Sequence, residues 1–498
     1  MKVTVNGELN KYYVQMLCMI FFPGVKFSDT EDDGLEIVVD VDKNDVGVSA
    51  KAKLSFGEKV AEAVAIEEYS EGVTKERTEK IAVGAAILSV GGDLLGYRPS
   101  WGMLTGVRPS KVAMELLNAG YSKTRVKKIL NQQYSVIPKK ASLATDVALY
   151  ESAIIGTPSP LDCSVYIAIP FCPSRCAYCS FVSYTSKRLL SLIPDYLVRL
   201  GEEIDSIFAE IRKLGLNVKT VYIGGGTPTI LSADQLRFLL SKINENYDVS
   251  TLEEFTLESG RPDTIDAEKM AVAAEYGVTR VCMNPQTLSD EVLQGIGRSH
   301  SGADFFRAYD IARNSGIKYI NTDLIAGLPG DKFKSFSATV DKIISMRPDN
   351  ITVHTFCVKK ASDYLRRSCN VYSLRGGDAS KCVDYSQIRT AIAGYKPYYM
   401  YRQKNTVGNL ENVGFTLEGA EGRYNIYMME EVHSIFAAGA GAVSKLVKHP
   451  SADGEKAVIE RVFNKKYPFE YLDGERDSTL CTQAEKFYRE QFPILFDK

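Results

Sequence analysis

The stretch Pro170-Phe-Cys-Pro-Ser-Arg-Cys-Ala-Tyr-Cys-Ser-Phe181 places three cysteines in the pattern Cys-x-x-x-Cys-x-x-Cys. It directly follows a short β-rich run, and such runs alternate with longer segments of helical period as far as Phe356. This alternation is typical of repeated βα units and a parallel sheet. Six such units are too few for a complete eight-stranded barrel, so we expect an α/β fold with a partial (βα)6 TIM-like barrel. The chemistry of such a barrel should lie at the carboxyl ends of its strands.

The individual elements of this barrel follow from the residue pattern. One helix is indicated by apolar residues that recur on one face from Leu197 to Ile211. Another helix begins at Ser232, where Gln235 completes a capping box. The predicted strands begin near Val165, Val221, Phe255, Arg280, Ile320 and Ile351.

The spacing of the three cysteines predicts an iron–sulfur site. Three thiolates on one short loop can hold three irons of a [4Fe-4S] cluster and leave the fourth iron without a protein ligand. A structural zinc site is the alternative, but it normally closes with a fourth Cys or His nearby, and none follows here. We therefore predict a [4Fe-4S] cluster on Cys172, Cys176 and Cys179, with an open iron where a cofactor or substrate can bind.

The composition limits the classes of protein to which the chain can belong. It has 498 residues, 45% of them hydrophobic and 24% charged, and its mean hydropathy of −0.13 excludes disorder as the main state. The formal net charge of −2 gives no indication of a nucleic-acid partner. Because the longest apolar run is Met16–Phe22 and no secretory signal is visible, we expect no membrane span and a cytoplasmic location.

The chain divides into three predicted domains. Residues 1–155 form an α+β N-terminal domain of unknown role, residues 160–360 the barrel, and residues 361–498 a mixed C-terminal region that covers the substrate cavity. A loop around Trp101, the only tryptophan, is either a binding loop or a structural turn. In the first domain we expect strands at Leu35–Val41 and Val46–Leu54, and helices at Glu58–Glu68, Thr74–Val90, Lys111–Ala119 and Lys139–Ile155.

A glycine-rich motif, Val221-Tyr-Ile-Gly-Gly-Gly-Thr-Pro-Thr229, ends the second predicted strand. Consecutive glycines let the backbone approach a ligand closely, and Pro228 fixes the exit of the chain, although glycine runs also form plain turns. Glu258 ends the third strand in Phe255-Thr-Leu-Glu-Ser-Gly-Arg261 and supplies a polar group on the same rim. A salt-bridged surface position is the alternative for Glu258.

The cysteine triplet, with the aromatic Tyr178 before its last cysteine, resembles the signature of the radical S-adenosylmethionine (SAM) superfamily. The resemblance implies that the open iron chelates the amino and carboxylate groups of SAM. It also implies that an electron from the cluster cleaves SAM to a 5′-deoxyadenosyl radical. The protein's part is then to position the reactants and to exclude side reactions.

A finer resemblance, over about residues 160–450, is to the oxygen-independent coproporphyrinogen III oxidases, or dehydrogenases, and within them to the HemZ branch. The glycine motif belongs to this resemblance. The other motifs in the order of that branch are Tyr166-Ile-Ala-Ile-Pro-Phe-Cys172, Arg280-Val-Cys-Met-Asn-Pro-Gln286, Gly297-Arg-Ser-His300, Asp323-Leu-Ile-Ala-Gly-Leu-Pro329 and Arg402-Gln-Lys-Asn405.

In that family one or two SAM molecules bind, and the resemblance implies the residues that hold them. Tyr166 and Glu258 would also be catalytic. The implied partners are a tetrapyrrole substrate and an electron donor such as flavodoxin or ferredoxin. The first SAM would contact Tyr166, Gly225, Glu258 and the segment around Val443. The second would contact Tyr178, Gly226, Thr227, Gln286, Arg298, Asp323 and Cys357.

One departure from the family bears on the reaction. Many of these oxidases carry Tyr-x-His before the cysteine loop, whereas this chain has Tyr166-Ile-Ala168. The first interpretation is oxidative decarboxylation of two propionates of coproporphyrinogen III to give protoporphyrinogen IX. The second is a haem-binding chaperone, against which the absence of a His-Asn-x-x-Tyr-Trp segment around Gly408–Phe415 weighs. The third is another radical SAM reaction on a tetrapyrrole, such as methyl transfer or ring opening.

A substrate with several propionates requires cations in its cavity, because an unpaired buried carboxylate is costly. Arg402 and Lys404 follow the aromatic run Tyr395, Tyr398 and Tyr399, which suits a flat macrocycle with charged arms. A solvated surface turn is the alternative. His354, at the sixth strand, either faces the cavity or is a core histidine.

Overall fold

The computed structural model describes residues 1–30, 34–70, 73–106, 108–357, 377–403, 406–449, 457–474 and 479–496. Within these ranges the strands form two sheets, one of four strands and one of 11 strands. The first sheet belongs to the N-terminal part of the chain, and the second contains the barrel. No helix in the described ranges is long and apolar enough to span a membrane.

The N-terminal part is an α+β unit. Its sheet has the order β1-β2-β3-β4, and two helices, α1 and α2, supply buried apolar side chains to its core. In chain order its elements are β1 Lys2–Asn6, α1 Lys11–Phe21, β2 Leu35–Lys43, β3 Gly47–Phe56, β4 Lys59–Glu68, α2 Lys75–Leu95, α3 Pro109–Asn118, α4 Lys123–Gln132 and α5 Pro138–Ile155.

The central part alternates strands and helices, as the sequence predicts. Its strands are neighbours in the order of the chain and pair in parallel throughout. The elements are β5 Asp162–Ile169, α6 Lys187–Leu190, α7 Ile193–Lys213, β6 Asn217–Gly225, α8 Ala233–Asn246, β7 Glu254–Glu258, α9 Ala267–Glu275, β8 Arg280–Cys282, α10 Asp290–Gly295, α11 Gly302–Asn314, β9 Tyr319–Ala326, α12 Phe333–Met346 and β10 Asn350–Thr355.

The C-terminal part extends the same sheet at both edges. It adds β12 and β11 beyond β10, and β13, β14 and β15 beyond β5. Its elements are α13 Gly377–Ile392, β11 Lys396–Arg402, β12 Glu411–Thr416, α14 Arg423–Glu430, β13 Ser434–Ala438, β14 Val443–Lys448, β15 Val458–Phe463, α15 Pro468–Asp473, α16 Thr479–Gln491 and α17 Pro493–Phe496. The described residues beyond the predicted boundary at 361 therefore continue the barrel sheet.

Six predicted strands and both predicted barrel helices are confirmed, with the capping box of Ser232 and Gln235. The prediction of a helix at Glu58–Glu68 is wrong, because this segment forms β4, which pairs antiparallel with β3 over its whole length. Its many Ala and Glu residues favour a helix, but in the extended segment Ala61, Ala63 and Ala65 share one face, which packs against the core beside α2.

The N-terminal unit is joined to the barrel sheet by a buried polar cluster. Trp101 is fully buried and its Nε1 donates to Glu411 Oε2 at 2.8 Å. The Lys140 ammonium forms an ion pair with the other oxygen of Glu411, and both side chains are buried. Trp101 therefore lies in a structural turn that docks on β12, which is the second of the two alternatives that the sequence left open.

Candidate active site

The cysteine loop leaves the carboxyl end of β5 and is held by backbone hydrogen bonds. Cys172 N donates to Tyr184 O at 3.1 Å, and Cys179 N donates to Cys176 O at 3.0 Å. Cys172 and Cys176 are buried, and Cys179 is partly exposed. The loop is thus a fixed turn that brings its three thiols to one end of the barrel.

The glycine motif at the end of β6 packs directly on the cysteine loop. Gly226 N donates to Ile169 O and Thr227 N donates to Phe171 O, both at 2.8 Å. A Cβ on Gly226 would lie only 2.9 Å from Phe171 N. Gly225 has φ +109°, and a Cβ there would meet Ile169 N at 3.2 Å. From the sequence, these glycines are predicted to let the backbone approach a ligand. In the structure, their missing side chains also let the end of β6 pack against the backbone of Ile169 and Phe171, just before the cysteine loop.

The thiols occupy an environment that suits metal ligation. Burial raises the pKa of Cys172 to about 11, and the neighbouring cysteines reinforce the shift. Burial also raises the pKa of Cys179. Thiols of this kind stay protonated unless a strong positive charge stabilises the thiolate, and coordinated metal supplies that charge. The Thr227 Oγ1 lies 3.3 Å from Cys172 Sγ and shares a hydrogen bond with it.

In the described part of the chain, no group of three or more His, Cys, Asp or Glu side chains is gathered closely enough to surround one metal ion. A [4Fe-4S] cluster does not need such a gathering, because each thiolate binds a different iron. The donor set of three cysteines on one fixed loop therefore fits the cluster.

Next to the cysteine loop, Arg298 and Gln286 are buried with unsatisfied polar atoms. Arg298 donates to Asn284 O at 2.5 Å and to Tyr178 Oη at 3.0 Å, which fixes Tyr178 within the loop. The Gln286 backbone is left-handed, with φ 68°, and its N donates to Asp323 O at 3.0 Å. Arg298 Nε and Gln286 Oε1 have no hydrogen-bond partner among the described residues. Unpaired buried polar atoms at a strand end are what a polar cofactor would satisfy.

Three tyrosines line the interior of the barrel. Tyr166 on β5 and Tyr222 on β6 are register partners with stacked rings, at a centroid distance of 6.1 Å. Tyr424 of α14 stacks on Tyr222 at 4.6 Å, so the C-terminal part contributes to the same wall. The three rings form an aromatic surface. Glu258 lies close to this surface, because its Oε2 is only 2.9 Å from the point that a Cβ added to Gly224 would occupy.

Two carboxyl groups in this interior have opposite environments. Burial, reinforced by the charge of Asp323, raises the pKa of Glu258 to about 8. Although burial opposes ionisation of Asp323 as well, hydrogen bonds from His354, Asn321 and Thr352 hold the pKa of Asp323 below its usual value. Two acids whose environments separate their pKa values are suited to different roles in one site.

His354 links Asp323 to a tyrosine of the C-terminal part. Its Nε2 lies 3.5 Å from Asp323 Oδ2, and its Nδ1 shares a hydrogen bond with the Tyr401 hydroxyl at 3.0 Å. His354 is partly exposed and contacts Asp323 and Tyr401, so it is not a fully buried core histidine, which was one of the two alternatives considered for it. The structure thus brings together a Tyr–His–Asp chain of hydrogen-bonding groups.

The structure does not bring every predicted site residue to this interior. Arg402 follows Tyr401 on β11, and since side chains alternate along a strand, it points to the opposite face. There its guanidinium is buried, donates to Leu104 O and Asn409 Oδ1, and lies over the ring of Trp101. Its partners therefore belong to the contact with the N-terminal unit. Lys404, the second predicted propionate ligand, lies outside the described residues.

The remaining two predicted residues lie at the borders of the site. Val443 begins β14 and is exposed, while its neighbours Ala437 and Ala442 pack on Ala168. Tyr166 packs against this group, so the segment adjoins the interior although the Val443 side chain does not fill it. Cys357 follows β10 and is partly exposed, in an antiparallel bridge with Thr406.

Sequence reasoning did not identify four groups in the interior, namely Tyr222, Cys282, Tyr401 and Tyr424. The Tyr222 hydroxyl lies 4.0 Å from Cys282 Sγ. Alternation along the predicted strands could have indicated Tyr222, which stands beside Tyr166 in a parallel register. Tyr401 and Tyr424 come from elements far along the chain, and only the folded sheet brings them to the site.

Comparison with known proteins identifies the superfamily. The family model of the radical SAM superfamily matches residues 166–343, which run from β5 to α12. This range includes the cysteine loop, the glycine motif, Glu258, Gln286, Arg298 and Asp323.

A curated relative extends the match well beyond that range. The oxygen-independent coproporphyrinogen-III oxidase-like protein HemZ of Bacillus subtilis is 37% identical over 380 residues, which are 76% of this chain and 75% of the relative. The chain belongs to this radical SAM family. Another member, the heme chaperone HemW of Lactococcus lactis, is 32% identical over 67% of this chain and 89% of its own length.

A solved structure of the family supports the fold. The coproporphyrinogen III oxidase HemN of Escherichia coli, a radical SAM enzyme, superposes with a TM-score of 0.50 over 66% of this chain and 71% of its own. The identity of 20% supports the shared architecture only. This radical SAM protein therefore has the predicted partial barrel, and its superfamily uses a [4Fe-4S] cluster and SAM as cofactors.

Proposed function

We propose that this radical SAM protein is an enzyme that oxidatively decarboxylates two propionate side chains of coproporphyrinogen III to give the vinyl groups of protoporphyrinogen IX. The observation that carries the proposal is the barrel interior. It joins the aromatic wall of Tyr166, Tyr222 and Tyr424 to two carboxyl groups with separated pKa values. An aromatic wall suits a flat macrocycle, and polar groups at its rim suit the arms of that macrocycle.

The cofactors, when bound, would supply a carbon-centred radical that removes one hydrogen atom from the propionate carbon next to the ring. The propionate then loses CO2. The two electrons of the broken C–C bond and the unpaired electron make three, of which two form the second bond of the vinyl group and one passes to an external acceptor. The chain's own residues hold the propionate in reach and exclude water. The contacts of Tyr424 with Tyr222 and of Tyr401 with His354 support the proposal that the C-terminal region, residues 361–498, covers the substrate.

Within this proposal the cysteines hold the cluster, and the groups around them hold SAM. Cys172, Cys176 and Cys179 are the iron ligands, and Tyr166 and Glu258 act on the reactants. The unpaired atoms of Gln286 and Arg298 support their assignment to SAM. The SAM-binding set is Tyr166, Tyr178, Gly225, Gly226, Thr227, Glu258, Gln286, Arg298, Asp323, Cys357 and the segment around Val443, for one or two molecules. The electron donor is a flavodoxin or ferredoxin of the cytoplasm.

A second candidate function is haem delivery, because several relatives are named as heme chaperones. One structural observation disfavours it. The single tryptophan, Trp101, is fully buried and bonded to Glu411, so it is not available as the aromatic contact of a haem-binding segment. The sequence around Gly408–Phe415 also lacks the His-Asn-x-x-Tyr-Trp pattern.

Product analysis separates these functions. Anaerobically reconstituted protein is incubated with SAM, a reductant and coproporphyrinogen III, and the tetrapyrroles are resolved by mass spectrometry. Loss of two carboxyl groups is the expected result. A methylated or ring-opened product would establish another radical SAM reaction, and unchanged substrate together with stoichiometric haem binding would establish a chaperone. The variant Cys176→Ala is the control, since it lacks one iron ligand and should give no product.

A further inference from the structure

The N-terminal sheet ends in an open edge. β4 is the last strand in the order β1-β2-β3-β4, and no described residue pairs with its outer side. Three apolar side chains on β4 are largely exposed, Val60 at 55%, Val64 at 59% and Ile66 at 72%. A long edge strand with exposed apolar side chains is a template for pairing with another strand.

The hydrogen-bonding direction of β4 shows which groups this edge offers. Tyr69 N donates to Val46 O at 2.9 Å and extends the ladder of β3 and β4. In an antiparallel ladder, the backbone groups of successive residues point alternately toward one neighbouring strand and away from it. Because Tyr69 bonds to Val46, the odd-numbered residues of β4 are the ones that bond to β3. The backbone N–H and C=O groups of Val60, Glu62, Val64 and Ile66 therefore point outward.

The charges at the two ends of β4 are complementary and unused. Lys59 lies near the start of the strand and Glu67 near its end, and neither has an ion-pair partner in the described ranges of the chain. Glu62, between them, already pairs with Lys51 at 3.2 Å and Lys53 at 3.1 Å on β3. An antiparallel partner with the same sequence would bring Lys59 opposite a glutamate.

We propose that β4 pairs antiparallel with β4 of a second copy of this chain, about a twofold axis at Ala63. In this register Lys59 faces Glu67 of the other copy and Val60 faces Ile66, while Glu58, in the turn before β4, faces Glu68 at the outer edge of the contact. Every outward backbone group named above then belongs to a hydrogen-bonded pair, and the two four-stranded sheets become one continuous sheet. The proposal is independent of the reaction catalysed.

The neighbouring registers are less favourable, which is why the axis is assigned to Ala63. An axis at Glu62 would set the two Glu62 side chains against each other at the centre of the contact, and it would leave Lys59 and Glu67 without an opposite charge. An axis at Val64 would place Lys59 opposite Tyr69 and leave both end charges unpaired. Registers between these would put the exposed face of one sheet beside the packed face of the other.

Charge reversal tests the pairing. We expect the full-length protein to dimerise in sedimentation-velocity runs over a concentration series, and Lys59→Glu or Glu67→Lys to raise the dimer dissociation constant by about tenfold or more, since each creates two repulsive contacts. The double variant Lys59→Glu/Glu67→Lys should return to within about threefold of the parent. Lys128→Glu, an exposed charge reversal on α4, is the matched control and should change nothing.

Cysteine scanning tests the axis itself. Residues on the axis are a non-hydrogen-bonded pair with Cα atoms about 4.5 Å apart, which a disulfide can bridge. With oxidised glutathione, Ala63→Cys should form a covalent dimer, and Ala61→Cys should not, because Ala65 faces it. The double variant Ala61→Cys/Ala65→Cys should cross-link again, and the parent reports any linkage by native cysteines.

Two results would overturn the proposal. One is a parent protein that stays monomeric up to about 100 µM, the upper end of ordinary weak association. The other is a dimer that ignores both charge reversals or cross-links equally through Ala61→Cys and Ala63→Cys. Iron content and melting temperature of each variant show that it is folded, so a loss of dimer cannot be assigned to unfolding.

Discussion

The Thr227 hydroxyl lies 3.3 Å from the sulfur of Cys172, and this contact joins the glycine motif of one strand to the cysteine loop of its neighbour. The backbone N–H of Thr227 also donates to Phe171 O, one residue before that cysteine. One residue thus positions both the loop and the sulfur of a proposed iron ligand. Hydrogen bonds to ligating sulfurs tune the reduction potential of iron–sulfur clusters.

We expect Thr227→Val to lower the midpoint potential of the bound cluster by tens of millivolts, because the sulfur loses a hydrogen-bond donor. Thr227→Ser keeps the hydroxyl and should retain the parent potential. Anaerobic redox titration followed by electron paramagnetic resonance measures both. Equal potentials in the two variants at full iron content would show that the hydroxyl does not act on the cluster.

We expect Gly226→Ala to reduce iron incorporation, because its Cβ would collide with the backbone of Phe171 and displace the cysteine loop. Gly225→Val should do the same in addition to weakening SAM binding, since φ at Gly225 is +109° and Ile169 lies behind it. Iron per chain after anaerobic reconstitution is the measurement.

Gly215→Ala is a control for these two variants, because Gly215 shares the positive φ of Gly225 but has open space where the Cβ would lie. It introduces backbone strain without a collision and should keep full iron content. Normal iron in Gly226→Ala would show that the contact between the two loops is not needed for the cluster.

The raised pKa of Glu258 gives the apoprotein a pH dependence of stability. Between the ordinary value of 4.5 and the raised value of about 8, folded Glu258 keeps a proton that the unfolded chain has lost. The free energy of unfolding therefore falls as the pH rises through this window. The free energy of unfolding of Glu258→Gln, taken relative to that of the parent, should therefore rise by at least about 1 kcal/mol between pH 5 and pH 8.5.

Urea titrations of parent and variant at the two pH values measure this difference. Asp323→Asn serves as the comparison, because its carboxyl has a lowered pKa and its contribution is lost at low pH instead. An equal difference in the free energy of unfolding between Glu258→Gln and the parent at both pH values would contradict the prediction. It would mean that Glu258 is ionised in the folded protein as it is in the unfolded chain.

Restoring the histidine that many relatives carry should destabilise this chain. Ala168 is buried in a cluster with Ala437 and Ala442, so a larger imidazole would have to displace these neighbours. We expect Ala168→His to lower the free energy of unfolding by about 1–3 kcal/mol through overpacking, without raising the yield of decarboxylated product above that of the parent. Thermal melts and product assays measure the two effects. A variant as stable as the parent would mean that the alanine cluster can open.

The barrel could be predicted from the sequence because its strands are short apolar runs with strong helical segments between them. The same local pattern misassigned Glu58–Glu68, where helix-favouring Ala and Glu residues form a strand because the segment pairs with β3 and packs one face on α2. Local propensity is weak against such tertiary packing.

The gathering of the three cysteines at one end of the barrel could also be predicted, because they lie within one loop. Arg402 could not be oriented, since its direction depends on the register of β11, which shifts at an irregularity between Pro397 and Tyr399. That register turns Tyr401 toward His354 and Arg402 toward Trp101. Tyr424 was missed for a related reason, because a helix far along the chain brings it to Tyr222.

The proposal that radical chemistry in this barrel acts on the propionates of a tetrapyrrole can be tested with coproporphyrinogen III deuterated at the propionate carbons next to the ring. In an anaerobic reaction with SAM and a reductant, we expect that deuterium appears in 5′-deoxyadenosine and that divinyl product accumulates. Neither should occur with Cys176→Ala. Formation of 5′-deoxyadenosine without deuterium, alongside unchanged coproporphyrinogen, would contradict the account.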